Sequence, residues 1–240
     1  MGGGSRGIFI TFEGGEGAGK TTHIRFLAEE LEARGREVLR LREPVGTEVG
    51  EQLRGVVLDP ANEDLSDRTE LFIYEAARAQ IVSQVIAPAL ARGAVVLCDR
   101  FTDSTVAYQG YGRGLDLAFV ARANEFACQG VRPDRTILLV TGGTAKTGLG
   151  RATHRGADRL ERAGEDFHER VNAGFLAIAA AEPARIRVVG SAARKSATSA
   201  AVFRELIDLF PWMAEVVDDP AFFERLNVRR PREGAGAQGA

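Results

Sequence analysis

At 240 residues, with 45% apolar residues and a formal charge of −2, the chain can build one large packed domain or two small ones. Its charge balance argues against bulk attraction to nucleic acid or to an acidic membrane surface. Two cysteines, Cys98 and Cys128, are too few for a disulfide scaffold or a zinc site and point to a reducing compartment. No run approaches the ~20 apolar residues that span a bilayer, so a soluble, cytoplasmic protein is expected.

Met1 to Arg6 is a short glycine-rich lead with no apolar stretch behind it of signal-peptide length. Ile8 to Phe12, branched and aromatic and bounded by glycines, predicts a buried parallel strand. Gly14-Gly15-Glu16-Gly17-Ala18-Gly19-Lys20-Thr21 then satisfies the phosphate-loop pattern G-x-x-x-x-G-K-[ST]. From Thr21 to Arg34, Ile24, Leu27, Ala28 and Leu31 recur at helical spacing, and Gly35 ends the run. Strand, glycine loop and helix together aim free backbone N–H groups and a helix N-terminus at a phosphate. Gly14 through Thr22 are therefore the candidate ATP-phosphate residues, with Lys20 on the outer phosphates and the Thr21 hydroxyl on magnesium. The chain has only three lysines, Lys20, Lys146 and Lys195, and uses arginine for its other cations. A compact ammonium at this one position suits the chemistry.

Glu37 to Leu41 predicts a strand ending at Arg42-Glu43-Pro44. A helix follows from about Glu48 to Leu58. Ser66 reads as the N-cap of a long helix running to about Ala91, which Pro88 bends or ends early. Ala94 to Leu97 is a second fully apolar strand and stops at Asp99-Arg100. An apolar parallel strand ending in aspartate is a candidate magnesium support. Helices are expected over Leu117 to Cys128 and Asp166 to Ala181, and strands over Thr136 to Val140 and Ile186 to Val189. Thr198 to Phe210 would close the fold, with a small docked helix around Phe222-Phe223 and Leu226. The expected domain runs from 7 to 212, followed by an extension from 213 to 240 that is disordered at its end. Alternating strands and helices predict an α/β fold: a doubly wound, five-stranded parallel sheet flanked by helices, with ligands at the strands' carboxyl ends.

Several clusters stand in order. They are Glu13-Gly14 with the phosphate loop, Arg42-Glu43-Pro44, Ala77-Arg78-Ala79-Gln80, Asp99-Arg100-Phe101, Ser104 to Gly110 and Asp158-Arg159-Leu160-Glu161. Over roughly residues 7 to 190 this set resembles thymidylate kinase, a phosphate-loop nucleoside monophosphate kinase. Moving a phosphoryl group between nucleotides needs clustered cations and exclusion of water. Arg100 is suited to fork onto the acceptor's phosphate, with Arg42 a second candidate. Glu16, whose charge opposes a phosphate, is expected to point at the acceptor. Tyr74 and Arg78, four residues apart, share a helix face.

What the resemblance implies is finer. Glu16 would accept a hydrogen bond from the acceptor's 3′-hydroxyl, Tyr74 would stack on thymine, and Arg78 would bond to the base edge. Thr105, Tyr108 and Gln109 would line the same pocket. Residues from about 144 to 162 look like a lid, and Arg151 or Arg155 would supply transition-state charge beside Lys20 and Arg100. Asp99 and Thr21 would support Mg2+. Three positions depart from the family pattern: Val45 after Pro44, Thr141-Gly142-Gly143-Thr144 after the fourth strand, and a lid one residue short before Asp158. The implied activity is transfer of the terminal phosphoryl of ATP to dTMP in dTTP biosynthesis, by a homodimer that uses sheet-flanking helices. A kinase of another pyrimidine nucleotide, such as dUMP or a modified one, and a non-catalytic ATP-binding module are the alternatives. No role with nucleic acid or membrane is expected, and His23, His154 and His168 are read as structural or solvated.

Overall fold

The computed structural model describes residues 6–141, 159–192 and 194–227. Five strands, β1 (Ile8–Glu13), β2 (Val38–Arg42), β3 (Val95–Asp99), β4 (Arg135–Thr141) and β5 (Ile186–Ser191), form one sheet in the order β2-β3-β1-β4-β5. Every pairing is parallel. Each expected strand is present, displaced by no more than two residues at an end.

Both faces of the sheet are covered, which is why its strands read as continuous apolar runs rather than alternating ones. Ile10, Phe12, Val95, Leu97, Ile137, Leu139 and Val189 face helix α1 (Lys20–Glu32) and the C-terminal helices. Phe9, Val96 and Cys98 point the other way, onto the long helical stretch that precedes β3. That stretch begins at α3 (Asp67–Ile81), where Ser66 Oγ accepts from Thr69 N, and continues through a π-helical turn, Val82–Ile86, into the short α4 (Ala87–Ala91). Pro88 sits just after the π turn, so the missing N–H is absorbed without ending the helix.

Two helices appear with the expected bounds because a side-chain cap starts each. Thr47 Oγ1 accepts from Gly50 N at the head of α2 (Glu48–Leu58), and the Asp116 carboxylate accepts from Phe119 N at the head of α6 (Leu117–Cys128). Between β3 and α6 lie α5 (Thr102–Thr105) and a second π turn, Val106–Gly112. Further along come α7 (Glu165–Ala181) and α8 (Lys195–Arg204). The helix expected to run to Phe210 stops at Arg204, because i→i+3 bonds from Glu205 N to Val202 O and from Leu206 N to Phe203 O tighten the chain. That turns Leu206 and Phe210 into the core.

The C-terminal segment also packs. α9 (Met213–Val216) and α10 (Pro220–Glu224) bring Met213, Val217 and Phe223 into the same cluster as Phe26 and Phe203. The docked helix expected around Phe222-Phe223 is α10. The glycine-rich lead before Arg6 and the end of the extension beyond Asn227, expected to be disordered, lie outside the described residues.

Candidate active site

Register puts the chemistry on one edge of the sheet. Asp99 pairs with Phe12 on one side and with Arg42 on the other. The phosphate loop, the β3 end and the β2 end therefore emerge at one level, at the carboxyl ends of the strands. Gly14 has a φ of 127°, and a Cβ at this position would stand 2.2 Å from Leu139 O, so only glycine fits there. Lys20 Nζ donates to Gly14 O at 3.0 Å and Gly15 O at 3.2 Å, inside its own loop. Burial, aided by the Arg100 charge, holds its ammonium down to about 8. A bound polyphosphate would supply the anions that raise it again.

Thr21 Oγ1 donates to Asp99 Oδ2 at 3.2 Å. The other oxygen, Asp99 Oδ1, is buried, accepts no hydrogen bond, and has Lys20 Nζ 4.0 Å away. A buried carboxylate oxygen without a donor needs an explanation, and a hard cation shared with a neighbouring hydroxyl is one that fits. Among the described residues there is no cluster of three acidic, histidine or cysteine side chains that would cage a metal alone.

Arg100 occupies the turn after β3 in the left-handed region, with φ 71°, which is costly for a residue bearing a Cβ. Three contacts hold it there: Arg100 N donates to Phe12 O, Phe101 N to Glu13 Oε1 at 2.8 Å, and Ser104 Oγ to Glu13 Oε2 at 2.6 Å. The guanidinium so aimed donates to Ser104 Oγ and to Glu16 Oε1, and lies 5.1 Å from the Tyr108 ring centre. The Arg100 charge pulls the Glu16 carboxyl down to about 2 against its burial. Burial, with Asp103 adding repulsion, pushes the Glu13 carboxyl up to about 7.

Beside this ion pair is a cavity lined by Glu16, Arg42, Tyr74, Arg78, Arg100, Thr105, Tyr108 and Gln109. These are all eight residues that the sequence offered for the acceptor. Arg78 is only 2% exposed. Its Nε and Nη2 donate to Glu43, and its Nη1 to Glu75, Thr105 and Asn124. Glu43 and Asn124 are 35 and 46 residues away in the chain, so no local pattern signalled the clamp. Its effect is to present one remaining Nη2 donor along a fixed direction.

Arg54, Leu58, Leu160, Glu161 and His168 line the cavity too. Arg54 and Leu58 were detectable as an i, i+4 pair on α2. His168, read as structural or solvated, is buried at the cavity wall, where α7 packs over Tyr108 through Phe167 and Phe175. His23 is structural: it is buried against Ser199 Oγ at 2.7 Å. Arg151, Arg155 and His154 lie outside the described residues, as does the expected lid as far as Asp158. The described part of that stretch begins at Arg159, which is fastened to α2 by hydrogen bonds to Val57 O and Leu58 O.

A thymidylate kinase family model matches residues 12–201. The chain is 50% identical over 204 residues to a thymidylate kinase of Solidesulfovibrio magneticus, covering 82% of this chain and 97% of that one. It is 48% identical over 211 residues to the thymidylate kinase of Geobacter sulfurreducens, covering 85% and 99%. Among solved structures, thymidylate kinase from Ehrlichia chaffeensis superposes with a TM-score of 0.67 at 32% identity, over 85% of this chain and 98% of that one.

Proposed function

The chain belongs to the thymidylate kinase family, and we propose that it moves the terminal phosphoryl group of ATP to dTMP, giving ADP and dTDP. It is a phosphate-loop nucleoside monophosphate kinase, a transferase of nucleotide biosynthesis. What carries the reading at residue level is one junction. Glu16 belongs to the donor's phosphate loop and to the acceptor cavity at once, and is paired there with Arg100. Donor and acceptor phosphates would meet at that pair.

In this reading the loop amides and Lys20 hold the outer phosphates of ATP. Arg100, helped by Arg42, holds the phosphate of dTMP, whose oxygen attacks the terminal phosphorus in line while the bond to ADP breaks. Because the nucleophile is already an anion, no side chain has to remove a proton from it. Magnesium would be supported by Asp99 and Thr21, and when bound it neutralises charge developing on the phosphate oxygens. Arg151 or Arg155 would add a cation from the lid. Tyr74 offers the stacking face, and Arg78 with Gln109 faces the base edge.

The enzyme would work in the cytoplasm as a homodimer. Two free, buried cysteines suit a reducing compartment. Among the described residues no helix is long and apolar enough to cross a membrane. Phe72, Phe119 and Phe126 are exposed on α3 and α6, Phe126 by 88%, and are the candidate contact with a second copy. Sedimentation of Phe126→Asp beside the wild type tests this: an unchanged dimer with the charge in place would rule out that face.

The direct test of the reaction is ADP release with ATP and magnesium across dTMP, dUMP, dCMP, dGMP and AMP. Fast turnover with dTMP and slower turnover with dUMP is expected. A preference for any other acceptor would overturn the substrate assignment.

A further inference from the structure

We propose that Glu70 is the positioning residue that sets base specificity, by fixing which end of the Gln109 amide faces the acceptor cavity. Glu70 is wholly buried on α3 and does not itself line that cavity. Its Oε1 receives Gln109 Nε2 at 2.8 Å and Arg113 Nε at 3.2 Å, and its Oε2 receives Arg113 Nη2 at 3.0 Å. Oε2 is also paired with Arg159.

Arginine has no acceptor, so both guanidinium groups can only donate and the carboxylate must accept from them. The Gln109 amide meets the same Oε1 atom. Turned the other way, its carbonyl oxygen would lie against that oxygen, two acceptors in contact in a buried setting. The NH2 end is therefore committed to Glu70, and the carbonyl end is left for the cavity that Gln109 lines. An amide's two ends look alike in shape, and only such a partner tells them apart.

The consequence rests on the reading of this cavity as the base pocket. A carbonyl from Gln109 next to a donor from Arg78 matches a base edge that carries N–H beside C=O. Thymine and uracil present that edge. Cytosine presents an unprotonated ring nitrogen beside an amino group and meets two mismatches. Glu70 thus determines the base without touching it. The same carboxylate, through Arg159, ties this choice to the anchored end of the lid.

Glu70→Gln tests the inference. Arg113 and Arg159 would claim the new amide's oxygen, its NH2 would turn to Gln109, and Gln109 would then show its own NH2 to the cavity. The ratio of kcat/KM for dTMP to that for dCMP is expected to fall at least tenfold, with KM for ATP unchanged. Glu70→Asp, which retracts the carboxylate but keeps its charge, should lower the ratio in the same direction. Arg113→Gln removes a cation and leaves the Gln109 bond, and should keep the ratio within about twofold of wild type. Variants at Glu70 that fold and retain the wild-type ratio would overturn the inference, whatever their Tm. A wild-type enzyme that uses dTMP and dCMP alike would instead defeat the base-pocket reading on which it rests. Should neither Glu70 variant fold, hydrogen exchange of the Gln109 side-chain amide in the wild-type protein decides. Protection already present without nucleotide and unchanged by dTMP supports the role, and protection that appears only with dTMP overturns it.

Discussion

Arg100 Nη2 lies 2.5 Å from Glu16 Oε1, so the arginine at the end of β3 and the acid inside the phosphate loop form one ion pair across 84 residues of chain. The two halves of the site are thereby coupled, and the arginine's backbone is held at φ 71° to make the pair. Arg100→Ala should weaken dTMP binding about 30-fold, the equivalent of ~2 kcal/mol for a charge-assisted bond, and ATP binding by far less. Arg100→Gly should lose the same affinity yet unfold at a higher temperature than the alanine variant, because glycine takes that φ without strain. Equal loss of both nucleotides in calorimetric titration would remove Arg100 from the acceptor's phosphate.

Asp99 Oδ1 is buried without a donor, which makes Asp99→Asn informative. The substitution takes from the buried Lys20 ammonium the carboxylate 4.0 Å away, so a modest fall in Tm is expected. The magnesium concentration giving half-maximal activity should rise about tenfold or more. A fall in Tm with an unaltered magnesium requirement would mean that Asp99 serves the fold alone.

Burial, with Lys195 contributing, holds His23 down to about 4 from an ordinary 6.5. The folded protein then binds fewer protons than the unfolded chain between those values, so stability is lost as pH falls from 6.5 towards 4. The loss should be roughly 2–3 kcal/mol by pH 4.5. Glu13 opposes it: raised to about 7, it contributes stability below 4.5 that is lost as pH rises to 7. The effect of His23 is therefore read as the difference between wild type and His23→Gln in urea unfolding at pH 7 and 4.5. Parallel losses in the two proteins would show that His23 is not the acid-sensitive group.

Phe223 is 2% exposed and packs on Phe26 and Phe203, with ring centres 5.8 and 5.2 Å away. Phe26 lies on α1, the helix that begins at Lys20. Phe223→Ala should cost about 3–5 kcal/mol and lower Tm by roughly 10 °C in a chain of this size. KM for both nucleotides at 25 °C should hold. An unchanged melting curve would show that the segment beyond the matched family region, which ends at residue 201, adds nothing to the core.

How much of this was legible depended on how far apart the cooperating residues lie. The phosphate loop was readable because its chemistry is local: glycines, one lysine and one hydroxyl within eight residues. The bounds of α2 and α6 were readable because Thr47 and Asp116 cap the helix that follows each of them. The end of α8 was not, since it depends on Leu206 and Phe210 finding the core. Arg54 and His168 reach the acceptor cavity only through the packing of α2 and α7 around it.

The sequence by itself determined the family, the five-stranded parallel sheet and the phosphate loop, since each is carried by short runs with their own physical signature, and its resemblance named the residues that we propose for the acceptor. Only the tertiary structure decided how those residues are aimed. Glu13 sets the Arg100 turn, Glu43 and Asn124 clamp Arg78, and Glu70 orients Gln109, across separations of 35 to 91 residues. Such partners are chosen by strand order and register, which bring distant carboxylates against buried donors. No spacing in the chain encodes that pairing, because a hydrogen bond depends on position in space and not on distance along the backbone.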